Sequence, residues 1–393
     1  MEQYKKTPII KTEKMTDNPL KKLETLGQSI WLDYIRCDLI TSGKLRRLID
    51  EDGLRGITSN PSIFEKAIAE SHIYDDDIAE KDLAGKDPKV IYETISQRDV
   101  QNAADEFRQV YEKTKGKDGY VSLEVNPHLA HDTKGTIEEA RRLWTSLNRP
   151  NVLIKVPATV EGLPAIRQLI SEGINVNVTL LFALPRYRQV TEAFIGGISD
   201  RLSQGKPVKN IASVASFFLS RIDAVIDPKE ENFIASTGEQ AHFATKIRGQ
   251  VAISSAKIAY KIYQETFESE QFLKLGASPQ RLLWASTSPK DPDFRDIKYV
   301  EALIGPNTVN TIPLETLEAY IDHGDPAALL EADVEQASWV LSELSEIGID
   351  LNEITTKLEI DGVNSFILAY DKLIKTIKTK STLNFKNKDQ IHE

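Results

Sequence analysis

The feature that most constrains this chain is an alternation repeated along its length. Short β-branched, apolar runs are separated by longer amphipathic stretches. The runs are SIWLDYI (29–35), GITSN (56–60), YVSLEV (120–125), NVLIKVPA (151–158), INVNVTLLF (174–182), NIASVASFF (210–218), RLLWAS (281–286) and TVNTIP (308–313). Several are apolar on both parities, as in parallel strands buried on both faces, and parallel neighbours need long crossovers. The stretches between them supply such crossovers in helical form. In GLPAIRQLISEG, Leu163, Ile166, Leu169 and Ile170 recur at helical spacing before Gly173 closes the segment.

Eight strands, each followed by helix, predict one α/β fold: a closed, parallel (β/α)8 TIM barrel. Two additions to the minimal barrel are expected. Residues 62–115 form an oversized, charged helical insertion after strand two, and helical patterns at 327–347 and 354–377 follow strand eight. A long C-terminal helix there can lie across a barrel mouth. Residues 236–272 read as the longest helical segment between strands. Residues 1–16 and 381–393 are polar and aperiodic and read as tails, which leaves 17–380 as a single barrel domain.

Composition excludes several classes. The 393 residues are 40% hydrophobic and 27% charged, an ordinary balance for a protein with a large core. One cysteine, Cys37, forbids an internal disulfide and fits a reducing, cytoplasmic setting. No apolar run reaches the length of a membrane span, and the N-terminus lacks the apolar stretch of a secretory signal. A net charge of −10 disfavours general binding to nucleic acid or anionic membranes. It does not exclude a small anionic substrate, which reads a local pocket.

In such barrels, chemistry belongs at the C-terminal ends of the strands. Lys155 is the most informative residue there, because it interrupts the apolar strand Asn151-Val-Leu-Ile-Lys-Val-Pro157. Desolvation disfavours an ammonium, and a free amine is what attack on a carbonyl needs. A lysine paired with a carboxylate at the rim is the plainer alternative, and the neighbours each have one too. Asp33 can accept bonds from backbone or Arg36, Glu124 can be an ion-pair partner of Lys155, Asn60 a turn residue and Thr179 a good strand former. Together with Asn177, Ser216 and Arg221 they place an amine, carboxylates, amides and hydroxyls on successive strand ends. Packing alone does not call for that convergence. His128 and His131 lack an obvious third ligand, so no metal site is expected. Cys37 and the Phe217-Phe218 pair read as core. No dinucleotide fingerprint, phosphate-binding loop or nucleophile elbow is present.

At these residues the sequence resembles the transaldolases. Gly56-Ile-Thr-Ser-Asn-Pro-Ser-Ile-Phe64, Asn151-Val-Leu-Ile-Lys-Val-Pro-Ala158 and Gly173-Ile-Asn-Val-Asn-Val-Thr-Leu-Leu-Phe182 are similar to that family's signatures, in the same order. The longer bacterial type, with its expanded segment after strand two and LWAST on strand seven, is the branch it looks most like. The resemblance implies a class I mechanism without metal or organic cofactor, acting on sugar phosphates. It implies Lys155 as the Schiff-base lysine, Asp33 for the C4 hydroxyl proton, and Glu124 with Thr179 holding the water that relays protons. Asn60, Asn177 and Ser216 would bind substrate hydroxyls and Arg221 the phosphate. The family's usual second phosphate arginine falls at Ser288, and Lys290 is expected to stand in for it. Met15-Thr-Asp-Asn-Pro-Leu20 resembles the usual family start, so residues 1–14 are expected to add nothing to fold or activity.

Overall fold

The computed structural model describes residues 18–234 and 239–389, with side chains described outside 230–240 and up to Ser381. The expectation for residues 1–14 lies outside these.

Strands β1 (Gln28–Asp33), β2 (Gly56–Thr58), β3 (Tyr120–Glu124), β4 (Val152–Pro157), β5 (Val176–Leu181), β6 (Ser213–Phe218), β7 (Arg281–Ala285) and β8 (Thr308–Ile312) close into one barrel. Every pairing is parallel, and β8 returns to β1 with Trp31 beside Thr311. Strands β4 to β8 are buried at every position, because the barrel core covers one face and the helices cover the other. That double burial is why the runs read as continuously apolar.

The register sets which side chains point inward. Trp31 lies beside Gly56, and Gly56 beside Tyr120, in one layer of the interior. A Cβ on Gly56 would sit 2.7 Å from the Trp31 ring and 2.8 Å from the Tyr120 carbonyl, so glycine makes room for the indole. Below this layer Arg281 is buried against Asp118 at 2.9 Å, with Ser29 and the Trp31 indole also on that carboxylate. This closes the N-terminal end of the barrel.

β5 is irregular where it matters. Its register with β6 shifts between Val178 and Leu181, and Leu180 adopts φ of +56°. A bulge of this kind re-aims the neighbouring side chain, here Thr179, at a cost of about 1–2 kcal/mol for the left-handed backbone of a leucine.

The helical additions differ in detail from expectation. The insertion after β2 is four helices, Pro61–Ala69, Asp75–Leu83, Pro88–Glu106 and Arg108–Lys113. The segment 236–272 is not one long helix. Gly249, at φ +69°, separates Glu239–Ile247 from Val251–Phe267, and Asp227 accepts the Gly249 amide at 2.9 Å. The pattern at 327–347 contributes Val334–Glu343 and a 3-10 turn, Leu344–Ile347. The longest helix is the last, Leu351–Asp389, which overruns the boundary expected at residue 380. No glycine or proline follows Ile377, so nothing in the chain stops the helix where its apolar periodicity fades.

Candidate active site

A cavity of about 490 Å³ opens at the C-terminal ends of the strands. Asp33, Asn60, Lys155, Thr179, Ser216, Arg221 and Lys290 all line it. These residues, scattered over the chain, meet there because each lies in the C-terminal half of a barrel strand or in the segment just beyond one.

Lys155 is 4% exposed and projects from β4 between Glu124 on β3 and Asn177 on β5, its register neighbours. Its Nζ donates to the Ser59 carbonyl at 3.0 Å and lies 3.9 Å from Glu124 Oε2. That carboxylate oxygen is buried without a hydrogen bond, as is the Thr179 hydroxyl. Burial pushes the Glu124 carboxyl up to about 7, with Lys155 pulling it down and Asp33 adding to the rise. Glu124 therefore titrates in the neutral range, where a group can both take and give a proton.

Asp33 is also raised by burial, opposed by Lys155 and by the Thr58 hydroxyl. That hydroxyl lies 2.7 Å from Asp33 Oδ1 and 2.6 Å from Thr311 Oγ1. Both carboxylates thus stand on the same side of the amine around the barrel wall, Glu124 on the adjacent strand β3 and Asp33 on β1.

The amides are used differently. Asn60 caps the helix Pro61–Ala69, its Oδ1 accepting from the Ile63 amide at 3.1 Å, which leaves its NH₂ for the cavity. Asn177 does not line the cavity. Its Nδ2 donates to Ser122 at 3.1 Å, and its Oδ1 accepts from Ser216 at 2.7 Å. It fixes the Ser216 hydroxyl at the wall. Glu124 likewise lies behind the lining and reaches the cavity through Lys155.

Arg221, in the first turn of the helix Ser220–Ile234, lies over the Phe218 ring with 5.8 Å to its centroid. Burial lowers its affinity for a proton, and does the same to Lys290, which Arg221 depresses further. Ser288, at the position where the resemblance puts the family's usual arginine, also lines the cavity. His128 and His131 sit apart, against Asp371 at 2.8 Å and Glu161 at 3.1 Å. Cys37 is half-buried at the start of a short helix, its amide donating to the Tyr74 hydroxyl at 3.0 Å.

Sequence reading missed Tyr34, Thr58, Lys66, Glu315 and Phe366, which also line the cavity. A signal existed for Lys66. Ile63, Lys66, Ala67 and Glu70 follow Asn60 at the spacing of one helix face. Phe366 comes from the last helix, and no local pattern announces that.

The comparisons agree with this geometry. The sequence profile of the family described as Transaldolase/Fructose-6-phosphate aldolase matches residues 30–377. The chain is 47% identical over 377 residues to Transaldolase 2 of Nostoc sp. (strain PCC 7120), covering 94% of this chain and 99% of that protein. It is 45% identical to the Transaldolase of Trichodesmium erythraeum, covering 93% and 98%, and 44% identical to that of Thiobacillus denitrificans, covering 92% and 99%. A buried lysine beside a carboxylate in a barrel mouth, and likeness to transaldolases over more than nine-tenths of the chain, give one answer: the chain belongs to the transaldolase/fructose-6-phosphate aldolase family.

Proposed function

We propose that this barrel carries a three-carbon dihydroxyacetone unit from a ketose phosphate to an aldose phosphate through an imine on Lys155. Donors would be sedoheptulose 7-phosphate or fructose 6-phosphate, and acceptors glyceraldehyde 3-phosphate or erythrose 4-phosphate. This is the transferase step of the non-oxidative pentose phosphate pathway, in the cytoplasm. The observation that carries the reading is the buried Lys155 amine 3.9 Å from a carboxyl that titrates near neutrality.

The chemistry follows from the residue types. The Lys155 amine adds to the C2 carbonyl, and water leaves as Glu124 supplies and removes protons, with Thr179 beside it. The product is a protonated imine, an electron sink. Asp33 takes the C4 hydroxyl proton, the C3–C4 bond breaks, and its electron pair flows into the imine to give an enamine and a free aldose. The enamine carbon then attacks the acceptor aldehyde, and Asp33 returns the proton to the new hydroxyl. Water finally adds to the imine and releases the ketose and the amine. Lys155 supplies covalent catalysis and the carboxylates general acid–base catalysis, worth typically 10²–10⁴-fold per positioned group. No step calls for a metal or organic cofactor.

Arg221 and Lys290 would hold the phosphate, the first as a planar fork and the second as a point charge. Asn60 and Ser216 would bind substrate hydroxyls, and Asn177 would act through Ser216.

A coupled assay separates this reading from its near rival, a fructose-6-phosphate aldolase. With fructose 6-phosphate alone a transferase stalls at the enamine, and adding erythrose 4-phosphate starts turnover. Steady release of dihydroxyacetone without acceptor would make the chain an aldolase instead. The full-length likeness to proteins named transaldolase supports the first outcome.

A further inference from the structure

Among the described residues, three cations reach the cavity without forming an ion pair: Arg221, Lys290 and Lys66. The remaining arginine there, Arg36, is held by both oxygens of Asp38 at 2.6 and 2.7 Å. Asp33, Glu70 and Glu315 share the cavity, yet none lies within ion-pair distance of the three among the described residues. The Lys290 ammonium is disfavoured by burial and by Arg221 and Lys66, while Glu315 and Asp33 offset part of this. Like charges collected without partners destabilise a free protein and complement a dianion.

Lys66 is directed to this spot by its helix. Asn60 fixes the start of Pro61–Ala69, and Ser62, Ile63, Lys66, Ala67 and Glu70 form the face that lines the cavity. The next residue round, Glu65, is buried on the other side and held by Lys372 of the last helix at 2.9 Å. The helix therefore cannot roll Lys66 away without breaking that pair. Just beyond β7, Ser288 lines the same space with only a short hydroxyl.

We infer that Lys66 is a specificity-determining residue, the third cation that closes with Arg221 and Lys290 on the substrate's phosphate and makes up for the charge that Ser288 does not carry. The inference rests on the proposed sugar-phosphate transfer. Lys66 and Lys290 are exposed in the free protein and would order on the phosphate, whereas Arg221 is half-buried and already in place.

The test compares Lys66→Gln and Lys66→Arg with the unaltered chain, using fructose 6-phosphate with erythrose 4-phosphate, and inorganic phosphate as competitive inhibitor. K66Q should raise KM for fructose 6-phosphate roughly tenfold, the scale of one charge-assisted bond, with a smaller effect on kcat. Inhibition by phosphate should weaken by a similar factor, and K66R should recover most of both losses. KM and phosphate inhibition unchanged in K66Q would overturn the inference. So would a fall in kcat with KM intact, or a K66R as weak as K66Q. An unaltered chain that turns over no ketose phosphate would instead overturn the proposed function, so the two failures are distinguishable.

Discussion

At the scale of single residues, Glu124 carries the sharpest expectations. Its carboxyl is raised from 4.5 to about 7, mainly by burial. The folded state thus keeps a proton that the unfolded chain releases near 4.5. Between about pH 4.5 and 7 the folded chain binds more protons than the unfolded one, so this group makes stability fall as pH rises through that window. Glu124→Gln removes the effect, and its melting temperature relative to the unaltered chain should be higher at pH 8 than at pH 5. Activity should move the other way. Loss of a positioned acid–base group should lower kcat by about 10²–10⁴-fold and erase any limb of the pH–rate profile near 7. A variant whose profile keeps that limb would assign it to another group. The phosphate end separates by geometry: Arg221→Ala should raise KM for sugar phosphate more than Lys290→Ala does, with kcat nearly intact in both. Steady-state kinetics that reverse the order would make Lys290 the principal grip.

At the scale of elements, the strands were legible because burial on both faces leaves an apolar run that no solvent-facing alternation interrupts. Lys155 stood out for the same reason, as a charge where the barrel tolerates few. Asn177 shows the limit of that reading. Its place on β5 was correct, but only the packed wall reveals that Ser122 and Ser216 use both ends of its amide. Helix ends were less legible. Gly249 breaks the segment 236–272 because Asp227 and Asp223, distant in sequence, accept the amides of Gly249 and Ala252. Lys66 and Phe366 reach the cavity only once the insertion and the last helix have docked. Gly56 tests the packing argument directly. Gly56→Ala forces a methyl into the Trp31 ring, and overpacking of this kind costs about 1–3 kcal/mol. Denaturant unfolding should show that loss, and an unchanged midpoint would mean the inner layer has slack.

At the scale of the whole molecule, the last helix and the insertion act together as a roof on the barrel. Tyr370 meets Tyr92 edge-on at 5.8 Å, and Gly362 brings the helix onto Leu180 at the β5 bulge. Phe366 reaches the cavity itself. A transferase must keep water from protonating its enamine, and an apolar roof serves that end. Phe366→Ala should therefore raise acceptor-independent release of dihydroxyacetone relative to transfer, measured with fructose 6-phosphate alone. No change in that ratio would remove the roof from the mechanism. The central claim, the imine on Lys155, is tested most directly by borohydride reduction with fructose 6-phosphate and no acceptor, followed by peptide mass spectrometry. The added mass of a reduced three-carbon adduct should fall on the peptide spanning residues 151–167, at Lys155 alone. Lys155→Arg should give neither adduct nor turnover, because a guanidinium stays protonated, while Asp33→Asn should still be trapped but cleave slowly. An adduct on another lysine, or full turnover in Lys155→Arg, would contradict the account.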